Sequence, residues 1–165
     1  MKALKATILA SILGVGVSNA AIISAEIGGS FSASMGNVKA FNLDDKAVFS
    51  GGAYARVWLK PSILRIGGFF KWESIGSLEQ TSRWNNFQYG GLLGFEMARI
   101  TPYIGIAYSH FTNIAFNPTW ALNYGVKFSL PFHITLGIEG SYQEPRMSGV
   151  KVETHRIGAT LGLEF

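Results

Sequence analysis

One stretch decides the fold of this chain: Ile157-Gly158-Ala159-Thr160-Leu161-Gly162-Leu163-Glu164-Phe165. Its odd-numbered positions are apolar, and its even-numbered positions carry Gly, Thr or Glu. Because successive residues of a β-strand point to opposite faces, this pattern predicts a strand with one apolar face and one small or polar face. Such a strand requires neighbouring strands that also have one apolar face and one small or polar face.

Seven more segments of the chain repeat this two-residue alternation. Together with the closing stretch they predict eight strands, at residues 23–35, 47–59, 63–73, 86–97, 100–110, 120–130, 133–142 and 157–165. Their length of about ten residues is the length that a tilted strand needs to cross a bilayer. The alternation therefore predicts an all-β chain whose strands are long enough for a membrane.

The connections between these strands alternate in length. Short turns are predicted at 60–62, 98–99 and 131–132, and longer loops at 37–46, 74–85, 112–119 and 144–151. Short turns on one side and longer loops on the other are typical of a transmembrane β-barrel. An even number of strands lets the last strand pair with the first, which leaves no open edge in hydrocarbon. The predicted fold is an eight-stranded antiparallel up-and-down transmembrane β-barrel.

Charged residues are too scarce for a water-exposed barrel surface. They make up 15% of the sequence, against about a quarter in ordinary soluble domains. The apolar face of the strands is therefore predicted to contact lipid. The formal net charge is +4 and includes Lys2 and Lys5 near the start of the chain. No basic cluster follows them, so nucleic acid is not an expected partner.

The first twenty residues have the pattern of a secretory signal peptide. Two lysines precede an apolar run that ends at Val17, and small residues stand at the −3 and −1 positions of a cleavage site after Ala20. The apolar run is shorter than the roughly 20 residues of a membrane-spanning helix. We expect residues 1–20 to direct export through the Sec pathway, and residues 21–165 to form a barrel in the bacterial outer membrane.

Aromatic side chains of the apolar face concentrate at the strand ends. The predicted girdle consists of Trp72, Tyr108, Trp120 and Tyr142 toward the loops, and Phe95, Phe128 and Phe165 toward the turns. Two such belts are what the two interfaces of a bilayer favour. The alternative, that these rings fill a core, does not account for their clustering at strand ends.

The opposite face of the strands is predicted to enclose a narrow lumen. Each strand places at least one Gly there, which makes room for larger side chains in a barrel that is just wide enough to be filled by them. The charged residues on this face are Glu26, Arg56, Arg65, Lys71, Glu73, Glu96, Lys127, Glu139, Arg156 and Glu164. Unpaired charges in a narrow lumen would be costly, so we expect ion pairs.

These ion pairs are predicted to form two layers. The upper layer would hold Lys71, Glu73, Glu139 and Arg156, and the other six residues would lie near the turns. Such layers are expected to act as a structural plug. The alternative is a gate whose pairs can switch.

At this point the chain resembles the OmpA/OmpX-type family of small outer-membrane β-barrels. The resemblance rests on the signal peptide, the eight alternating strands, the loop asymmetry and the terminal Phe165. Residues 120–128, Trp-Ala-Leu-Asn-Tyr-Gly-Val-Lys-Phe, are similar to the aromatic-x-x-Gly-x-x-aromatic style of that family. Because the sequence stops at Phe165, the peptidoglycan-binding role of larger OmpA-type proteins is not expected.

The resemblance also implies an assembly signal and partners. In the family, the closing strand with its terminal Phe is part of the assembly signal, which corresponds here to Ile157, Ala159, Leu161, Leu163 and Phe165. The implied partners are outer-membrane lipid, lipopolysaccharide and the barrel-assembly machinery, and the implied state is a monomer. The expected function is a structural or surface-interaction role, and the alternative is a small gated or low-conductance channel.

A lipid A-modifying enzyme is a more distant alternative. Residues 110–113, His-Phe-Thr-Asn, superficially resemble the His-x-Ser-Asn stretch of the lipid A deacylases. Thr112 stands where that family has its Ser nucleophile, and the stretch belongs on a later strand, where this chain has residues 140–142. The histidines at 110, 133 and 155 are too far apart for a clustered metal site. We expect no catalytic activity, no cofactor and no metal.

Overall fold

The computed structural model describes residues 23–35, 48–76 and 83–165 of the chain. The predicted signal peptide, residues 1–20, and the predicted first loop, residues 37–46, lie outside these ranges. Within the described ranges, no helix has the length and apolar character needed to span a membrane.

The described residues form eight long strands, which we number β1 to β8. Their bounds are Ile23–Met35, Val48–Leu59, Leu64–Gly76, Arg83–Phe95, Ile100–Thr112, Thr119–Ser129, Ile134–Gln143 and Thr154–Glu164. A single 3₁₀ turn, Pro131–His133, connects β6 to β7. Each strand pairs antiparallel with the next, and β8 returns to pair with β1, so the sheet is a closed barrel. The predicted eight-stranded up-and-down barrel is confirmed.

The seam between β1 and β8 closes the barrel along most of both strands. Its register runs from Glu26 opposite Glu164 to Met35 opposite His155. Beyond the last strand residue, the backbone of Phe165 exchanges two hydrogen bonds with Ala25, of 2.8 and 2.9 Å. The seam is therefore bonded in the same way as the other seven interfaces between strands.

Two glycines allow a close approach at this seam. Gly28 and Gly162 lie opposite each other, and a Cβ atom on either residue would overlap backbone atoms across the seam and the hydroxyl of Tyr54. The space that they leave lets this hydroxyl donate a 2.8 Å hydrogen bond to Glu26. The small residues thus make room for the polar contents of the lumen, as the sequence predicted.

The buried face of the barrel is polar and the exposed face is apolar. Glu26, Arg65 and Lys127 are 1–2% exposed. In contrast, Phe31 and Leu161 on the outside are both 60% exposed. Soluble proteins have the reverse arrangement, so the outer surface of this barrel is suited to hydrocarbon.

The second loop is shorter than predicted. The predicted loop bounds, 74–85, are wrong at both ends, because β3 continues to Gly76 and β4 starts at Arg83. Ile75 lies opposite Trp84 in this extension, and its side chain is buried. The alternation of faces therefore continues through a segment whose polar composition suggested a loop. β5 is also longer than predicted and ends at Thr112.

The fourth loop contains a small hairpin that the prediction of a plain loop at 144–151 missed. Residues Arg146–Met147 pair with Val150–Lys151. Ser148 and Gly149 form the turn and have positive φ angles of 50° and 85°. Two central residues with positive φ are the requirement of a type I′ turn, which gives a tight two-residue hairpin.

Candidate functional site in the barrel lumen

The ten charged residues predicted to point inward lie in the lumen or at its rim. We call the end with the short connections the turn end and the end with the longer connections the loop end. Alternation along the strands explains the inward position of these side chains. The contacts among them, described from the turn end upward, define the candidate site.

A carboxylate shared by three cations lies at the turn end. Glu164 accepts hydrogen bonds from Lys127 at 2.7 Å, from Lys60 at 2.7 Å and from Arg65 at 3.1 Å. Arg65 also pairs with Glu96, at a distance of 2.5 Å between Nη2 and Oε1. Lys60 belongs to the turn after β2, and the sequence patterns did not identify it as part of the site. This cluster closes the mouth of the lumen at the turn end.

Glu96 is the outermost member of this cluster. It follows the last residue of β4, and its side chain is 29% exposed. Hydrogen bonds from the Arg65 guanidinium hold the pKa of this carboxyl below its ordinary value. Glu96 therefore carries its charge at neutral pH, although water reaches part of its side chain.

A second carboxylate, Glu26, lies above this cluster and is almost completely buried. It accepts hydrogen bonds from the hydroxyls of Tyr54 at 2.8 Å and Thr135 at 3.1 Å. Its Oε1 is 3.3 Å from Nη1 of Arg56, and its Oε2 is 3.6 Å from Nζ of Lys127. Lys127 thus connects Glu26 to the carboxylate at the turn end. These contacts satisfy a charge that would otherwise be costly to bury.

Arg56 connects the lower and upper parts of the lumen. Its Nη1 faces Glu26, and its Nη2 donates to Glu139 at 2.7 Å. The guanidinium carbon lies 4.2 Å from the centre of the Tyr54 ring, and Nη2 also donates to the Tyr103 hydroxyl at 3.2 Å. One planar guanidinium therefore holds two carboxylates in place, a geometry to which Arg is suited and Lys is not.

Toward the loop end, cations and carboxylates continue to alternate along the lumen. Lys71 pairs with Glu139 and, at 3.0 Å, with Glu73. Glu73 in turn accepts from Arg156 at 2.7 Å. Nη2 of Arg156 then donates to Asn86 at 2.9 Å, where the charged side chains give way to neutral ones.

The ten residues therefore form one continuous ion-pair chain rather than two layers. In order from the turn end, the chain runs Glu96, Arg65, Glu164, Lys127, Glu26, Arg56, Glu139, Lys71, Glu73 and Arg156. The expectation of two layers is wrong, because Arg56 on β2 reaches Glu139 on β7 across the lumen. Strand tilt and stagger bring these two side chains to one level, and position along each strand does not reveal this.

A neutral polar cluster follows the ion-pair chain. Asn86 donates to Ser109 at 2.7 Å, and Ser109 donates to Gln143 at 2.6 Å. Gln88 donates to Asn86 at 2.9 Å. Beyond this cluster, Phe111 is buried and packs edge-to-face with Phe116, at 5.2 Å between ring centres. The content of the lumen thus changes from charged to neutral polar and then to apolar toward the loop end.

Trp58 and Leu92 are the large apolar side chains of the lumen that sequence reasoning missed, whereas the inward position of Tyr103 was predicted. Trp58, Leu92 and Tyr103 form a buried cluster, and Phe69 packs against it. Trp58 is fully buried and donates from Nε1 to Glu26 at 3.4 Å. Position parity could have identified it, because Trp58 stands two residues after an inward Arg in the same strand. These rings fill the space beside the ion-pair chain.

The aromatic residues of the predicted girdle all lie on the outer face. Four of the seven, Trp72, Phe95, Trp120 and Phe165, are exposed, and the other three, Tyr108, Phe128 and Tyr142, are half-buried. Tyr108 packs edge-to-face with Trp120 at 6.0 Å between ring centres, and Tyr142 packs on His155 at 4.5 Å. The rings thus occupy the two ends of the outer surface, and their function as membrane anchors stays a prediction.

The residues of the predicted assembly signal form one row on the outside of β8. All five side chains are exposed: Ile157, Ala159, Leu161, Leu163 and Phe165. The ring of Phe165 stacks on that of His133, at 6.5 Å between ring centres. The recognition of this row by assembly machinery stays a prediction.

The deacylase-like stretch lies away from the charged lumen. His110 is exposed on the outside of β5, and Thr112 shares that face, whereas Phe111 between them points inward. Among the described residues, no group of three or more His, Cys, Asp or Glu could hold a metal ion. Most of the ion pairs among the described residues belong to the ion-pair chain, and the others join Lys60 to Glu164 and Lys151 to Glu144.

Comparison with known proteins yields structural matches only. No protein-family model and no curated protein matches this sequence. Neisserial surface protein A matches with a TM-score of 0.58 and 9% identity, over 86% of this chain and 95% of that one. Ail, the attachment invasion locus protein of Yersinia pestis, matches with a TM-score of 0.55 and 18% identity, over 87% and 97%. The chain has the fold of the small outer-membrane β-barrels.

A third barrel supports the same conclusion. The N-terminal β-barrel domain of Pseudomonas aeruginosa OprF matches with a TM-score of 0.56 and 12% identity, over 86% of this chain and 97% of that domain. The fold is therefore the one that the resemblance to OmpA/OmpX-type barrels implied. At identities of 9–18%, the shared property is the fold.

Proposed function

We propose that this chain is an integral outer-membrane protein with a structural or surface-interaction role, and that its lumen is a plug. The single observation that carries the plug is the continuous ion-pair chain from Glu96 to Arg156. The apolar outer surface and the likeness to outer-membrane barrels support the location. Outer-membrane lipid, lipopolysaccharide and the barrel-assembly machinery are the proposed partners, and a monomer is the proposed state.

The energetics of the ion-pair chain favour a plug over an open pore. Each interior carboxylate of the ion-pair chain has at least two cationic partners. These carboxylates are Glu26, Glu73, Glu139 and Glu164. An ion that crosses the lumen would have to separate some of these pairs. Leaving one buried charge without its partner costs about 3–5 kcal/mol. An eight-stranded barrel is, in general, filled by its own side chains.

Single-channel recording in planar bilayers tests this proposal. The protein purified from membranes is inserted into the bilayer, and heat-modifiable gel mobility verifies that the barrel is folded. We expect folded protein and no resolvable current. A steady current from folded protein would contradict the plug and would move attention to the channel alternative.

The second candidate function, a gated channel, draws support from shared partners in the ion-pair chain. Arg56 contacts two carboxylates, and so does Lys71. Such a cation could move toward one partner without losing all of its compensation. If the chain is a gate, Glu139→Ala or Arg156→Ala should raise conductance, and charge reversal at Arg156 should change it further. Unchanged current in these variants would support the plug.

We infer that the protein is not an enzyme. The His110–Asn113 stretch is the one catalytic candidate that the sequence offered, and its His and Thr side chains are on the outer face of β5, away from the interior carboxylates. Mass spectrometry of lipid A from cells that produce this protein provides the test. We expect an unchanged lipid A profile, and loss of an acyl chain would contradict the inference.

A further inference from the structure

A groove lies on the outside of the barrel at the loop end. It is lined by Pro118 and Trp120 from the third loop and β6, and by Tyr142, Glu144, Arg146 and Lys151 from β7 and the fourth loop. Two aromatic side chains and two cations thus face one concave surface. The ion-pair chain of the lumen does not include any of these residues.

Hydrogen bonds fix the walls of this groove relative to each other. The amide of Asn117 donates to the carbonyl of Arg146 at 2.9 Å, and the hydroxyl of Thr119 donates to the carbonyl of Glu144 at 3.2 Å. The type I′ hairpin at 146–151 adds a rigid turn to the fourth loop. The groove is therefore formed before any ligand arrives, which lowers the entropic cost of binding.

The hairpin places two like charges directly opposite each other. Arg146 pairs with Lys151 across its short ladder, an arrangement that is destabilising in a sheet. Glu144 compensates in part, with Oε2 at 3.4 Å from the Lys151 ammonium. Glu144 pairs with Lys151 and not with Arg146, and these three side chains together carry a net positive charge. A shared anionic ligand would remove the repulsion through charge-assisted hydrogen bonds.

The third charged residue of the groove stays ionised. A hydrogen bond from the Tyr142 hydroxyl lowers the pKa of Glu144, and the nearby Lys151 lowers it further. An ionised carboxylate accepts hydrogen bonds and donates none. It therefore suits a ligand with hydroxyl groups next to its anionic group.

The aromatic wall borders the lipid-facing surface. Trp120 is 66% exposed, and its ring is held edge-on by Tyr108. The next outward residue of β6, Leu122, is also exposed. Trp and Tyr at this level are typical of the membrane interface. A ligand anchored in the outer leaflet could thus reach the groove without leaving the membrane.

We propose that this groove binds the phosphorylated sugar headgroup of an outer-leaflet glycolipid. Arg146 and Lys151 contact the phosphate, and the Trp120 ring packs against the sugar. Glu144 accepts a hydrogen bond from a sugar hydroxyl. The inference rests on the proposed outer-membrane location. It adds to the proposed lipid partners one defined contact site, the groove at the loop end.

The test uses the full chain, produced in a Gram-negative host and purified from its outer membrane. The probe is a bis-phosphorylated glucosamine disaccharide lipid, and native mass spectrometry measures the fraction of protein that retains it. We expect Arg146→Ala and Lys151→Ala each to weaken binding about fivefold, the loss that corresponds to one surface cation.

Matched controls separate this site from general electrostatics. Arg83→Ala removes an exposed cation elsewhere at the loop end, and it should leave binding unchanged. Equal losses in Arg83→Ala and Lys151→Ala, or equal binding of the dephosphorylated lipid, would overturn the proposal. If the soluble phosphorylated sugar competes fully with the lipid, the proposal that the ligand is a membrane glycolipid is overturned. Absence of the protein from the outer membrane would instead overturn the proposed function, so the two failures are distinguishable.

Discussion

Arg56 and Glu96 belong to the same ion-pair chain but have different surroundings. Arg56 is 4% exposed and contacts two carboxylates, whereas Glu96 is 29% exposed and contacts one guanidinium. In the interior, the cost of removing a charge from water makes each lost partner expensive. At the rim, water replaces a lost partner. The comparison teaches that burial, more than the distances within an ion pair, determines how much the pair contributes to the stability of the folded barrel.

The largest expected effect is at the centre. Arg56→Met keeps much of the side-chain volume but leaves Glu26 and Glu139 short of a cation. We expect a loss of about 3–5 kcal/mol in the free energy of unfolding, measured by urea titration in lipid vesicles. Arg99→Met, at an exposed turn residue, is the control. A loss below about 1 kcal/mol at Arg56 would remove the distinction between centre and rim.

A second substitution sharpens the comparison within the interior. Glu73→Gln keeps an acceptor for Ser32 but leaves Arg156 without its carboxylate, while Lys71 retains Glu139. We expect a loss of about 1.5–3 kcal/mol, in the range of a hydrogen bond to a charged group, because the amide oxygen of the new side chain and Asn86 can still accept hydrogen bonds from Arg156. The same urea titration measures it, with the exposed Glu153 changed to Gln as control. A loss as large as that of Arg56→Met would show that the hydrogen-bond acceptors left to Arg156 give no protection.

A third substitution moves to the seam at the turn end. Phe165→Ala removes the ring that stacks on His133, and we expect a loss of about 1 kcal/mol together with a lower yield of assembled barrel. The fraction with shifted gel mobility measures the yield. Phe132→Ala, at the same end and 88% exposed, is the control. Equal yields for the two variants would weaken the predicted assembly signal.

The smallest effect is expected at the rim. Glu96→Gln should cost less than about 1 kcal/mol at neutral pH. Since the folded-state pKa of Glu96 is lowered, its contribution is present above the ordinary pKa and disappears as the pH falls through the folded value. The stabilities of wild type and Glu96→Gln should therefore begin to converge below about pH 4 and become equal once the pH is below the folded-state pKa. A stability difference between the two proteins that persists in acid would show that it does not come from the ionised Glu96 carboxylate.

The strands could be predicted from sequence because their signal is local. In β6, alternation from Trp120 onward predicted 120–130, and the strand is Thr119–Ser129. The extension of β3 to Gly76 was missed, because pairing with a partner strand overrides the polar composition of that segment. The ten inward charges were identified by parity. Their order in the lumen was not, since it depends on stagger between strands that are far apart in sequence.

The seam has a consequence for the time course of folding. Ser24 donates a hydrogen bond to Glu164, which is 140 residues away in sequence, and the whole β1–β8 ladder has comparable separation. Contacts this remote form slowly, because a long loop must close before they can contribute. Until β8 arrives, β1 has an open edge and the apolar faces of the strands have no lipid around them. A chain whose barrel is not yet closed is therefore prone to aggregate through this edge and these faces.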